Sequence, residues 1–137
     1  MDEKTERDTK LNSWAQSIFA ITLFVEDLDE AKKFYQKVFS LPVIFEDGNS
    51  AVFKIGETLI NLLKTTAAKE LVAPATVGSG EIGPRFIFTI HVDNVDTMCA
   101  ELATLGVELL NGPMERPWGV RTASFRDPGG HIWEIAK

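Results

Sequence analysis

The sequence predicts an α+β fold built from two consecutive βαβββ modules. Three observations predict it. The chain repeats itself, with AITLFVEDL at residues 20–28 and IFTIHVDNV at residues 87–95. In each copy an alternating apolar stretch ends in Val, polar residues follow, and an amphipathic helix pattern begins. Behind each helix pattern lie further strand-like segments bounded by turn residues. A repeat of this kind sets the architecture before any single residue is read, and neither half could bury its sheet face alone.

Residues 1–16 are polar and charged apart from Trp14, the composition of a flexible tail whose end docks through that indole. Residues 17–64 form the first module. Over 17–25 the pattern alternates, with Ile21, Leu23 and Val25 on one face and Ala20, Thr22 and Phe24 on the other. Asp27 opens a helix, with Glu30 three residues on as in a capping box. Leu28, Ala31, Tyr35 and Val38 recur at helical spacing, and Pro42 ends the helical region. Strands follow at 43–46, 51–55 and 58–64, separated by turns at 47–49 and 56–57.

Residues 65–84 break the pattern with alanine, glycine, proline and small polar residues. So long a connector is unusual inside a compact domain unless it has a function, and it reads as a linker or a lid over a site. Residues 85–137 repeat the plan. A strand spans 85–92, and Asp93 or Asn94 caps a helix. Val95, Met98, Leu102 and Leu105 make that helix's stripe, with Gly106 in the position of a C′ glycine. A strand at 107–110 runs to a turn at 111–113. Strands at 120–126 and 131–136 then form a hairpin around Asp127, Pro128, Gly129 and Gly130.

At 137 residues the chain has the size of one domain or two small units sharing a core. No run approaches about 18 apolar residues, so no membrane span is expected. The charged N-terminus lacks the apolar core of a secretory signal. Cys99 is the single cysteine, which suits a reducing cytoplasm and excludes a multi-thiolate zinc site. A net charge of −6 without a basic cluster argues against general nucleic-acid binding. It is compatible with a cationic ligand.

Two segments carry a resemblance to a known family. One is the run VEDLDEA at residues 25–31 leading into Phe34 and Tyr35; the other is FRDPGGHIWEI at residues 125–135. Within the βαβββ repeat, in this order and spacing, they resemble the vicinal oxygen chelate superfamily, which includes glyoxalase I, the bleomycin resistance proteins and the extradiol dioxygenases. The resemblance covers about residues 17–136. It implies paired modules that curl their mixed sheets into a cup, the glyoxalase/bleomycin resistance fold, often completed by the partner subunit of a homodimer.

The resemblance also implies four places for metal ligands. One lies on the first strand of each module, five residues before the closing Val, and one on the last strand of each module. Here those places hold Ala20, Ile87, Asn61 and Glu134. Alkyl groups donate nothing, Asn61 is a weak neutral donor, and one carboxylate does not hold a transition metal. The expectation is therefore no metal and no cofactor. His91 shares a face with Ile87 and is the residue from which a relocated site would be built. His131 lies three residues from Glu134, on the other face, and reads as a surface histidine.

Alternation lines the groove with Thr22, Phe24, Asn61, Thr89, His91 and Glu134 among apolar neighbours. Phe53, Trp118 and Phe125 serve either as stacking surface or as core, and Trp133 as core. Such a lining suits a small organic ligand oriented by a few hydrogen bonds. Glu134 needs a partner: a ligand ammonium, a ligand donor, or Arg121 on the adjacent strand. The function expected is sequestration of an organic molecule, as in the bleomycin resistance proteins. The alternatives are a divalent-metal lyase, isomerase or dioxygenase using His91 and Glu134 with groups from the other subunit, or a metal-free catalyst using Glu134.

Overall fold

The computed structural model describes residues 14–137. The elements run β1 (Ala20–Val25), α1 (Leu28–Val38), β2 (Phe45–Glu46), β3 (Ser50–Ile55), β4 (Thr58–Lys64), α2 (Thr65–Val72), a 3-10 turn (Gly80–Ile82), β5 (Ile87–His91), α3 (Val95–Thr104), β6 (Leu109–Glu115), β7 (Arg121–Arg126) and β8 (Ile132–Ala136). Two four-stranded sheets result, ordered β1-β4-β3-β2 and β5-β8-β7-β6. In each sheet the first strand pairs parallel with the last, and the other pairs are antiparallel. The repeat in sequence is thus a repeat in topology.

Local chemistry explains the helices. Asp27 caps α1 by accepting from the Glu30 amide at 3.0 Å, and Asn94 caps α3 by accepting from the Thr97 amide at 2.9 Å. The predicted stripe of α1 is the buried one: Leu28, Ala31, Tyr35 and Val38. Helix α3 ends at Gly106, whose φ of 81° a side-chain-bearing residue tolerates poorly.

One core serves both modules. Tyr35 of α1 stacks on Phe53 of β3 at 5.7 Å and meets Trp133 of β8 edge-on at 6.1 Å. Phe39, just past α1, packs on Trp133 at 4.9 Å and on Phe125 at 6.0 Å. Phe53 and Phe125 are therefore core, and each such aromatic contributes about 1.5–3 kcal/mol by burial. A polar chain crosses the same seam. The Trp133 indole donates to Tyr35 Oη at 3.1 Å, and Tyr35 Oη donates to Asp127 Oδ2 at 2.6 Å. Burial, then the Asp127 carboxylate, push the Tyr35 phenol far above its ordinary range.

The structure corrects four expectations. Part of the 65–84 stretch is helical: residues 65–72 supply good helix formers, and Ala68 of α2 is fully buried. The turn expected at 111–113 is the middle of β6, where the pairing with β7 shifts register. Gly112 makes this possible, since a Cβ there would lie 2.5 Å from the Thr122 carbonyl. Strand β2 keeps only two residues of the predicted four-residue stretch. Trp14 is 89% exposed, so it does not dock within the chain; the rest of the predicted tail, residues 1–13, lies outside the described residues. No helix among the described residues is long and apolar enough to cross a membrane.

Candidate functional site

Each sheet turns one face to the shared core and the other away from it. Ile21, Leu23 and Val25 of β1 pack inward. Thr22 and Phe24 therefore point to the outer face, as do Thr89 and His91 of β5. On this outer face the two modules carry equivalent pairs. Thr22 is the register partner of Asn61, and Thr89 is the register partner of Glu134. Thr89 Oγ1 donates to Glu134 Oε1 at 2.8 Å, a good bond. Asn61 Nδ2 donates to Thr22 Oγ1 at a stretched 3.5 Å, and Asn61 Oδ1 is buried with no partner. An orphaned carbonyl of this kind costs about 1–3 kcal/mol until a donor reaches it.

The four metal-ligand places fall on these same strands. Ala20 sits opposite Leu59 and Ile87 opposite Ile132, each one pleat from its module's Thr pair. Among the described residues no group of three or more His, Cys, Asp or Glu converges as a metal cluster. His91 is exposed and Ile87 is half exposed beside it on the same face. Pairing modules across a dimer instead of within the chain would bring together the same four residue types. The residues present do not fit the ion.

Arg121 does not serve Glu134. Ser124 is the partner of Glu134 across β7 and β8, so Arg121, an odd number of residues away, lies on the opposite face. There it clamps Asp96 of α3 with two bonds of 2.9 and 3.0 Å. Those bonds hold the Asp96 carboxyl below its ordinary range. Trp118, 71% exposed, lies in the β6–β7 connection and contributes open surface.

His131 is not the surface histidine that alternation suggested. Its ring is mostly covered, and its Nδ1 lies 3.0 and 3.1 Å from the two Asp127 oxygens. Asp127 Oδ1 also accepts from the His131 amide at 2.8 Å. An Asp that opens a turn and accepts from residues beyond it is a legible signal. Alternation counted back from Glu134 gave the correct face but could not show that this turn draws the ring onto a buried carboxylate.

Beside His131 lies a cavity of about 670 Å³. Its walls include Thr22, Phe24 and Glu26 of the first module, Thr76, Ser79 and Ile82 of the connector, and Arg85, Phe86 and Arg126 with Gly129–His131 of the second module. Phe86 stacks over the His131 ring at 6.4 Å with an interplanar angle of 20°. The connector thus helps wall the cavity, which is also lined by Arg85 and Arg126, not singled out in the sequence, and by His131, read there as a surface residue. A shallower cleft of about 470 Å³ lies between α1 and residues 106–110, walled by Phe34 and Leu109 together with the charged Glu30, Glu108, Arg126 and Asp127.

Paired βαβββ modules of this order define the class of protein: the two-module glyoxalase fold. The chain belongs to the Glyoxalase/Bleomycin resistance protein/Dioxygenase superfamily, whose family model matches residues 17–135. It is 32% identical over 124 residues to the uncharacterized protein YraH of Bacillus subtilis, covering 88% of this chain and 97% of that one. It is 26% identical to the metallothiol transferase FosB of Lysinibacillus sphaericus, over 88% and 81% of the two chains. A lactoylglutathione lyase from Agrobacterium tumefaciens superposes with a TM-score of 0.70 at 25% identity, covering 88% of this chain and 92% of that one. A glyoxalase/bleomycin resistance protein/dioxygenase from Nocardioides reaches a TM-score of 0.82 at 19% identity, over 99% and 92%.

Proposed function

We propose that this protein binds a small organic molecule in the superfamily's cup without a catalytic metal, and that its activity is sequestration. The observation that carries this is the equivalent pair of sites, Thr22 with Asn61 and Thr89 with Glu134. Asn61 and Glu134 stand at two of the four places where the family resemblance puts ligands, yet they present one carboxylate and one unsatisfied amide carbonyl. These groups suit hydrogen bonds to a ligand better than coordination of an ion. Exposed apolar side chains of the second module, including Phe86, Ile87, Met114 and Trp118, supply surface for its body. A homodimer in a reducing cytoplasm, with each outer face covered by the partner's, fits the same surface. FosB is named a metallothiol transferase, and a metal-dependent transferase or lyase is the reading to which ours is opposed.

The test is a thermal-shift panel on chelator-treated protein, using aromatic, peptide-like and cationic antibiotics. Saturable stabilisation by at least one compound, reduced in Asn61→Ala and Glu134→Gln, is expected. No stabilisation by any compound, with stabilisation by Ni, Zn, Mn or Fe instead, overturns it.

A further inference from the structure

The net charge of −6 is compatible with a cationic ligand. The cavity beside His131 argues the reverse. Four arginines lie among the described residues, and two are engaged. Arg116 donates to Thr122 and Asn111, and Arg121 clamps Asp96. The side chains of Arg85 and Arg126 make no hydrogen bond or ion pair to any described residue, and both line this cavity, Arg126 bordering the shallower cleft as well. In an acidic protein, two unpaired guanidinium groups around one hollow are a site in want of an anion.

The remaining lining agrees. The third donor-bearing side chain in the lining is His131. Its Nδ1 is held by Asp127, and Asp127 is fixed in turn by Tyr35. That leaves Nε2 as the free ring nitrogen, on a ring whose orientation is locked from behind. Thr22, Thr65, Thr76 and Ser79 add hydroxyl groups, and Phe24, Ile82 and Phe86 add apolar wall. Glu26 is the single carboxylate among the lining residues and lies beside Gly80, at the connector. Two arginines outweigh it.

We propose that this cavity binds an organic anion, with a carboxylate or phosphate head on Arg85, Arg126 and His131 Nε2 and an apolar body against Phe86. This goes beyond the binding function proposed above: the cavity shares Thr22 with that reading but not Asn61, Thr89 or Glu134. The chain has only two histidines, so their ring resonances are a direct probe, and His91→Gln leaves the His131 signal alone. The probes are benzoate, phenyl phosphate, benzylamine and inorganic phosphate, titrated into the full chain at constant ionic strength.

Saturable shifts of the His131 resonance by benzoate or phenyl phosphate are expected, with benzylamine inert and inorganic phosphate weaker than phenyl phosphate. Arg85→Gln and Arg126→Gln, both at exposed positions, should each weaken the anion about tenfold. Three results overturn the proposal: benzylamine binding in preference to both organic anions, anion binding unchanged in the double arginine variant, or no saturable shift by either anion. Inorganic phosphate binding as tightly as phenyl phosphate overturns the organic part, because the site would then read only a free ion. If the antibiotic panel binds while these anions do not, this inference fails and the binding function stands.

Discussion

Tyr35 is the residue on which both modules converge, and it is the chain's single tyrosine. Its phenol is raised by burial and by Asp127. The unfolded chain ionises near the ordinary value of 10.0, while the folded chain keeps the proton. Stability contributed by Tyr35 is therefore complete below that pH and falls above it, by about 1.4 kcal/mol per pH unit. Ultraviolet titration should show no phenolate until the protein unfolds; a phenolate signal from folded protein near the ordinary value contradicts the buried chain. Tyr35→Phe removes the acceptor of the Trp133 indole and one donor to Asp127, and should cost about 1–3 kcal/mol by urea denaturation. Glu134→Gln loses a charged acceptor to Thr89 on a face open to water, so its effect on stability should stay within about 1 kcal/mol while ligand affinity falls.

The same scale shows what was legible. Thr22, Asn61, Thr89 and Glu134 were readable because strand alternation is rigid: once Leu23 is core, Thr22 is not. Arg121 was misplaced as a neighbour of Glu134 because its face depends on the register of β7 against β8, which sequence does not display. His131 was misread because the side chain of Asp127, rather than strand period, decides its surroundings.

Among elements, the helices were plain where capping chemistry marks them. Asp27 and Asn94 begin α1 and α3 as expected. Helix α2 escaped notice because Lys64 precedes it without any side-chain cap, so only its alanines and Leu71 announced it. Strand β6 escaped because Asn111, Gly112 and Pro113 spell a turn in most settings. Here they form an irregular strand pressed against β7. Gly112→Ala should therefore destabilise by at least about 1–3 kcal/mol, from the positive φ and the backbone clash together. A neutral effect in thermal denaturation would show that β6 is free to move away. Asn94→Ala should cost about 1 kcal/mol by the same assay, the usual worth of an amide cap.

For the whole molecule, duplication is the governing fact. It gives two sheets of identical order, one core between them, and equivalent positions that can be compared directly. That comparison sets two equivalent pairs on the outer sheet faces, Thr22 with Asn61 and Thr89 with Glu134, with Ala20 and Ile87 at the places where the family resemblance puts ion ligands. The fold was legible because the repeat forces it. The cavity proposed to hold an anion was not, because Arg85 and Arg126 come from distant segments that only the folded chain joins beside His131. The account rests on the absence of a bound ion in the working protein. Elemental analysis of tag-free protein, purified without chelator, measures this directly. The account predicts Ni, Zn, Mn and Fe well below one ion per chain; one tightly held ion per chain would contradict it.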